Sequence, residues 1–250
     1  MTDCTQDRRS RSQCRRWGRY DVALAYTVIL TLSTLTMFSQ PHGLAGQVVL
    51  RSSTNLVNLR HQPLLVLGAS AFVLSSPTEL WAVLPLFAIF AAAQRWVGRW
   101  STVLVAVIGH VFATVFTATL LAAGIARHQL SRSLARQPDV GVSYALAALL
   151  GLLLYRLPGR MRVVAGCVGT GLLVTVLVLS QTFTDLGHLI AWCTGLAVGQ
   201  VGTQIAEATS PASTRTPGSV GAPAPYPAQR AVTGLIADAT ELPNGPGLGC

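Results

Sequence analysis

Lysine is missing from the 250 residues, and all 18 basic side chains are arginine. With abundant Ala, Gly, Val and Leu, that choice reflects the codon bias of a GC-rich genome and carries no chemistry. Charge of any kind is scarce. Only 11% of residues are charged, against about 25% in soluble domains. Hydrophobic residues make up 51% of the chain and mean hydropathy is +0.50. The deficit excludes an ordinary water-soluble domain and points to the lipid bilayer as the main solvent.

Other absences narrow the function. The cysteines at 4, 14, 167, 193 and 250 form no CxxC pair and no Cys/His cluster of metal-site spacing, so no metal or other cofactor is expected. Cys167 and Cys193 lie in apolar runs and read as small buried hydrophobes; Cys4 and Cys14 read as reduced thiols. Cys250 is terminal and does not fit a prenylation motif. There is no phosphate-binding loop, dinucleotide fingerprint or internal repeat. A net charge of +9 would suit nucleic acid in a soluble protein. Here the arginines cluster between apolar runs, as the positive-inside rule places them. No nucleic-acid partner is expected.

What remains is an all-α polytopic pattern. Residues 1–21 form a basic tail expected in the cytoplasm. A membrane domain over 22–202 holds six predicted spans: Val22–Phe38, Leu80–Ala93, Thr102–Ile125, Val140–Tyr155, Val163–Ser180 and Leu186–Val201. The first span also fits a signal peptide, but no clear small-residue cleavage site follows it. Residues 39–63 read as a long outer loop. Leu64–Leu74 reads either as a re-entrant or interfacial piece or as the first half of a kinked second span. The Gln94–Trp100 stretch, with two arginines and two tryptophans, marks an inner interface. Arg127, Arg132 and Arg136 fall on the outer side against the trend. Residues 203–250, rich in Pro, Gly, Ser and Thr, are expected to be a disordered tail. Six spans put both termini in the cytoplasm and the protein in the plasma membrane.

One stretch stands out. Asp139-Val140-Gly141-Val142-Ser143 opens a span of 16 residues, about 24 Å as a helix against a core of about 30 Å. Its outer end therefore starts below the membrane surface, and irregular backbone at that depth must line a wet cavity or be buried in protein. The helix N-terminus supplies free N–H groups suited to an oxyanion. Thr184-Asp185-Leu186-Gly187-His188 sets a histidine at the same depth in span six, and ionisable groups inside spans are functional candidates by default. Two small-residue stripes, Ser143/Ala147/Gly151 and Gly187/Ala191/Gly195/Gly199, allow close backbone approach. A serine with a histidine that takes its proton is the minimum for nucleophilic catalysis. The plainer alternative is helix packing, with both side chains bonded to carbonyls. Asp139 and Asp185 read as interface or capping residues. His110 reads as an interhelical hydrogen-bonding residue or an oxyanion support.

Gly141-Val142-Ser143-Tyr144 at the head of a short fourth span, with Gly187-His188-Leu189-Ile190-Ala191 in the sixth, resembles the rhomboid intramembrane serine proteases. The likeness covers roughly residues 60–202 and is nearest to a poorly characterised actinobacterial group. It implies a six-span rhomboid-like bundle, with Ser143 as nucleophile, His188 as general base, and Gly141 and His110 as oxyanion or supporting residues. Membrane-anchored proteins would be the substrates. Tyr144 replaces the family's glycine after the serine. The second-span His-x-x-x-Asn pair falls near Thr78 and Ala82 and is absent, as is the loop Trp-Arg element. The aromatic residue that packs on the histidine corresponds to Ala147. These departures leave a second reading open: an inactive rhomboid-like protein that binds transmembrane segments of client proteins. A transporter or channel subunit is disfavoured by the lack of paired charges or an inverted repeat.

Overall fold

The computed structural model describes residues 20–39 and 44–209. The basic tail, most of the C-terminal tail, and Cys4, Cys14 and Cys250 lie outside the described residues. Those described contain helices and no strand: α1 (Asp21–Phe38), α2 (Leu44–Ser52), α3 (Leu56–His61), α4 (Pro63–Ser70), α5 (Val83–Val97), α6 (Arg99–Ala126), α7 (Val142–Leu153), α8 (Gly159–Ser180) and α9 (Phe183–Thr209). Single 3₁₀ segments at Pro77–Ala82, Arg132–Arg136 and Leu154–Arg156 link them.

Among the described residues, four helices are long and apolar enough to cross a membrane: Asp21–Phe38, Pro77–Val97, Arg99–Ala126 and Gly159–Ser180. α7 has only 12 residues, about 18 Å of rise. α9 has the length, at 27 residues, but Asp185, His188, Gln200 and its glycines and threonines dilute its apolarity. It runs to Thr209, past position 203 where the tail was expected to begin. Large apolar side chains stand exposed along α1, α6 and α8. A water-soluble monomer rarely shows such continuous apolar faces; a bundle solvated by lipid does.

The expected outer loop contains structure the apolar pattern missed. Asn55 caps α3, accepting from the Asn58 N–H at 2.9 Å, and Val49 of α2 packs with Met37 and Val73. Leu64–Leu74 and the second span are separate helical pieces, and the break falls at Ser75-Ser76-Pro77, where a kinked span would be broken. α4 stops at Ser70, and Ser76 is extended (φ −147°, ψ 147°) with its hydroxyl accepting from Thr78 N–H. Residues before proline are steered out of the helical region, so Ser76-Pro77 starts a separate segment.

α7 is the centre of the bundle, with eight of its 12 residues buried. Its most extensive partner is α9, followed by α6. A Cβ on Gly195 would stand 1.9 Å from the Ala148 carbonyl oxygen, and one on Gly109 would stand 2.2 Å from the Ala148 Cβ. Ala148 is thus gripped from both sides by helices that approach at glycine. The predicted α9 stripe does face α7: Gly187 abuts the Tyr144 ring, Gly195 meets Ala148 and Gly199 meets Tyr155. On α7 the stripe is corrected. The contact face runs through Tyr144, Ala148, Gly151 and Tyr155, one residue round from the expected Ser143/Ala147, which leaves Ser143 to the side.

At the far end, Gln94 is buried and joins α5 to the start of α1. Its Oε1 accepts from Ala23 N–H at 3.1 Å, and its side-chain amide donates to Asp21. Gly98, at φ 88°, reverses the chain between α5 and α6, a conformation that favours glycine. α8 is different in kind: none of its residues is buried. Cys167 on α8 and Cys193 on α9 are exposed on the helix surfaces, which corrects the expectation that they fill the core.

Candidate functional site

Ser143 and His188 open onto one cavity of about 360 Å³. Its floor is the start of α7, with Val142, Ser143 and Leu146; Thr184 and His188 of α9 form one wall. The opposite wall comes from Leu74, Ser75, Glu79, Ala82 and Leu86, and Pro138–Val140 close the rim. The shared depth expected of the two side chains is therefore a shared cavity. Each is half-buried. No hydrogen bond joins them, and neither the Ser143 hydroxyl nor the His188 imidazole is bonded elsewhere among the described residues.

The backbone at the start of α7 leaves two donors free. Tyr144 and Ala145 N–H turn back to Gly141 O at 3.2 and 3.3 Å, while no acceptor takes the N–H of Val142 or Ser143. These are the unpaired amides that any helix start provides. Gly141 is differently employed. Its own N–H donates to Ser70 O at 3.1 Å, and a Cβ there would lie 1.7 Å from His110 Cε1. Its lack of a side chain is what lets the imidazole seat against it.

His110 is buried and is not among the residues lining the cavity. Its Nε2 lies 3.0 Å from Leu67 O and 3.2 Å from Ser70 Oγ. A carbonyl can only accept, so Nε2 carries the proton, and Nδ1 is left buried without a partner. In place, His110 clasps the end of α4 to α6 and to Gly141.

Two residues that sequence reasoning undervalued complete the site. Tyr144, noted only as a departure, is wholly buried. Its ring packs edge-on against His188 (centroids 5.2 Å apart, 71°) and lies 6.4 Å from His110. The aromatic partner of the histidine, sought at Ala147, is here supplied by Tyr144. Its hydroxyl donates to Asp139 Oδ2 at 2.8 Å. Glu79 was not foreseen at all; it is the cavity's other carboxylate, its Oε2 accepting from Ser75 N–H at 3.2 Å. The sequence signal for it was a lone acid two residues after Pro77, just before the second span.

Asp139 does not cap α7. Its Oδ1 accepts from Thr184 Oγ1 at 3.1 Å, and Thr54 Oγ1 lies 3.3 Å from Oδ2. Burial holds its carboxyl above the usual range, and the Tyr144, Thr184 and Thr54 hydroxyls offset only part of that rise. Asp185 does serve its own helix, accepting from Ser180 and Thr182, while its N–H donates to Thr182 Oγ1. No group of three or more metal-ligating side chains occurs among the described residues.

No curated protein and no solved structure matches the chain. A family model described as rhomboid-like protein matches residues 20–207. That match spans the whole helical bundle, its central helix and both walls of the cavity, and the chain belongs to the rhomboid-like protein family.

Proposed function

We propose that the protein is an intramembrane serine endopeptidase acting on membrane-anchored proteins through a Ser143–His188 dyad. One observation carries this: a serine and a histidine from different helices open onto a single cavity, with no hydrogen-bond partner for either side chain among the described residues. In this reading α7 and α9 are the fourth and sixth of six spans in the plasma membrane, both termini cytoplasmic, with the cavity opening outward. His188 takes the Ser143 proton as Oγ attacks the scissile carbonyl, then returns it to the leaving amine. The free N–H groups of Val142 and Ser143 meet the developing oxyanion. Gly141 and His110 support that geometry from behind, by holding the chain at the start of α7. Hydrogen bonds of catalytic pairs are often long before substrate binds, so an open dyad is compatible with this chemistry.

The second reading, an inactive binder of transmembrane segments, is favoured by the opposite wall. Ala82 and Leu86 face the cavity where side-chain donors to the oxyanion would be needed. Labelling of the purified, folded protein with a serine-reactive fluorophosphonate separates the two. The protease reading expects labelling of wild type that Ser143→Ala abolishes and His188→Ala sharply reduces. Absence of Ser143-dependent labelling in folded protein decides for the binder.

A further inference from the structure

We propose that Asp139 is a positioning residue, which sets the register of α7 against α9 and thereby holds Ser143 opposite His188. The inference rests on the dyad reading for its catalytic consequence, but its structural part stands separately. The two carboxylate oxygens of Asp139 are engaged by different helices. Oδ2 takes the Tyr144 hydroxyl at 2.8 Å, and Tyr144 adjoins Ser143. Oδ1 takes the Thr184 hydroxyl at 3.1 Å, and Thr184 lies one helical turn before His188, on the same face.

The carboxylate is itself fixed in place. Asp139 N–H donates to Ser53 Oγ at 2.6 Å, while its carbonyl accepts from Thr54 N–H at 2.8 Å and Thr54 Oγ1 at 3.1 Å. With the Thr54 hydroxyl also reaching Oδ2 at 3.3 Å, six hydrogen bonds converge on one residue of the segment entering α7. The bond to Tyr144 has a second effect. It holds the phenol ring edge-on to His188 and flush on Gly187, where a Cβ would come within 2.4 Å of the ring. Ring, imidazole and carboxylate are one assembly.

Such a device matters because most of the α7–α9 interface is built of small residues; the other directional bond, from the Tyr155 hydroxyl to Gln200 Oε1 at 3.1 Å, lies at the opposite end, far from the serine. Glycine and alanine stripes let two backbones approach closely, but they present few features that resist sliding or rotation. Directional hydrogen bonds to a charged acceptor do resist both, and they are the stronger kind. In this chain the bridging carboxylate lies on the loop beside the serine and touches neither reacting atom.

The test measures the rate of Ser143-dependent fluorophosphonate labelling in the full chain, with its maximal rate and half-saturating concentration separated. Variants are Asp139→Ala, Tyr144→Phe, Thr184→Val and Thr184→Ser. A displacement near 1 Å at a reacting pair costs on the order of 10²-fold in rate. Asp139→Ala should lose that much in the maximal rate, with the half-saturating concentration little changed. Tyr144→Phe and Thr184→Val should each lose roughly tenfold, and Thr184→Ser, which keeps the hydroxyl, should stay within about twofold. Combining Tyr144→Phe with Asp139→Ala should cost no more than Asp139→Ala alone, since residues acting as a unit are not additive. Wild-type labelling rates in Asp139→Ala, or equal losses in Thr184→Ser and Thr184→Val, overturn the proposal.

If wild type itself fails to label, the dyad reading falls while the register claim is still decided. Thermal unfolding of the same variants then gives the answer. Non-additive losses between Asp139 and Tyr144, with Thr184→Ser neutral, sustain the clamp; additive losses refute it.

Discussion

Replacing Gly195 with alanine adds one methyl group at the tightest crossing in the bundle. That Cβ would stand 1.9 Å from Ala148 O, 2.8 Å from its carbonyl carbon and 3.0 Å from its Cα. Carbon–oxygen contacts settle near about 3.3–3.6 Å, so α7 and α9 must part by more than about 1 Å along this line. No side chain can swing aside, because every atom met is backbone. Overpacking costs about 1–3 kcal/mol in general, and with backbone on both sides the upper end applies, about 3 kcal/mol. For a chain of this size that is a fall in Tm of about 6–12 °C. Gly195 lies two turns from His188, so the same separation should slow fluorophosphonate labelling of Ser143 by one to two orders of magnitude, on the order of what a 1 Å misplacement does. Gly46→Ala is the matched control. Nothing lies within 4 Å of its added Cβ, and loss of glycine from a helix should stabilise by roughly 0.5–1 kcal/mol. Thermal unfolding in one detergent or nanodisc preparation measures all three proteins. Wild-type Tm in Gly195→Ala would refute the close approach on which the site geometry rests.

Three further outcomes are expected. Gly141→Ala should expel His110 from its seat, costing about 1–3 kcal/mol and raising hydrogen exchange over residues 63–76; adding His110→Ala to it should restore part of the loss. Gln94→Ala should cost about 1–3 kcal/mol by stranding the buried N–H of Ala23. Arg99→Ala, which removes the half-exposed pair with Asp21 at 3.1 Å, should cost under about 1 kcal/mol, so chemical denaturation should rank the two. Trp192→Phe removes the donor to Thr170 Oγ1 at 3.1 Å that ties α9 to α8. It should cost about 0.5–1.5 kcal/mol and increase spin-label mobility on α8 more than on α7.

Hydropathy and glycine spacing carried most of the architecture, because lipid solvation and close helix approach both leave marks at the level of residue type. The short α7, the α9 stripe and the opening of Ser143 and His188 onto one cavity are marks of that kind. α7's own stripe was misassigned by one residue. Ser143 and Ala147 lead to Gly151 by the i, i+4 rule as readily as the true face does, which keeps Gly151 but carries the large Tyr144 and Tyr155. A tyrosine reads as too large for a close-packed face, yet Gly187 opposite makes room for it. Asp139 was misjudged similarly: an acid just before a helix reads as a cap, and nothing local reveals hydroxyls arriving from Thr54 and Thr184. Short helices between Leu44 and Ser70 were hidden because their stability comes from contacts with α1, α6 and the α7 entry segment, not from their own periodicity.

The position of α8 has a consequence in time. A helix with no buried residue is threaded, in chain order, between the two helices that share the most extensive contact among the described residues. Chains emerge at about 5–20 residues per second, so α7 waits on the order of seconds between its own synthesis and that of Gly195. Until then Tyr144, Ala148 and Gly151 lack their α9 partners, and the hydroxyls of Tyr144 and Thr184 cannot meet on Asp139. The wall that Thr184 and His188 give the cavity does not exist before α9 arrives.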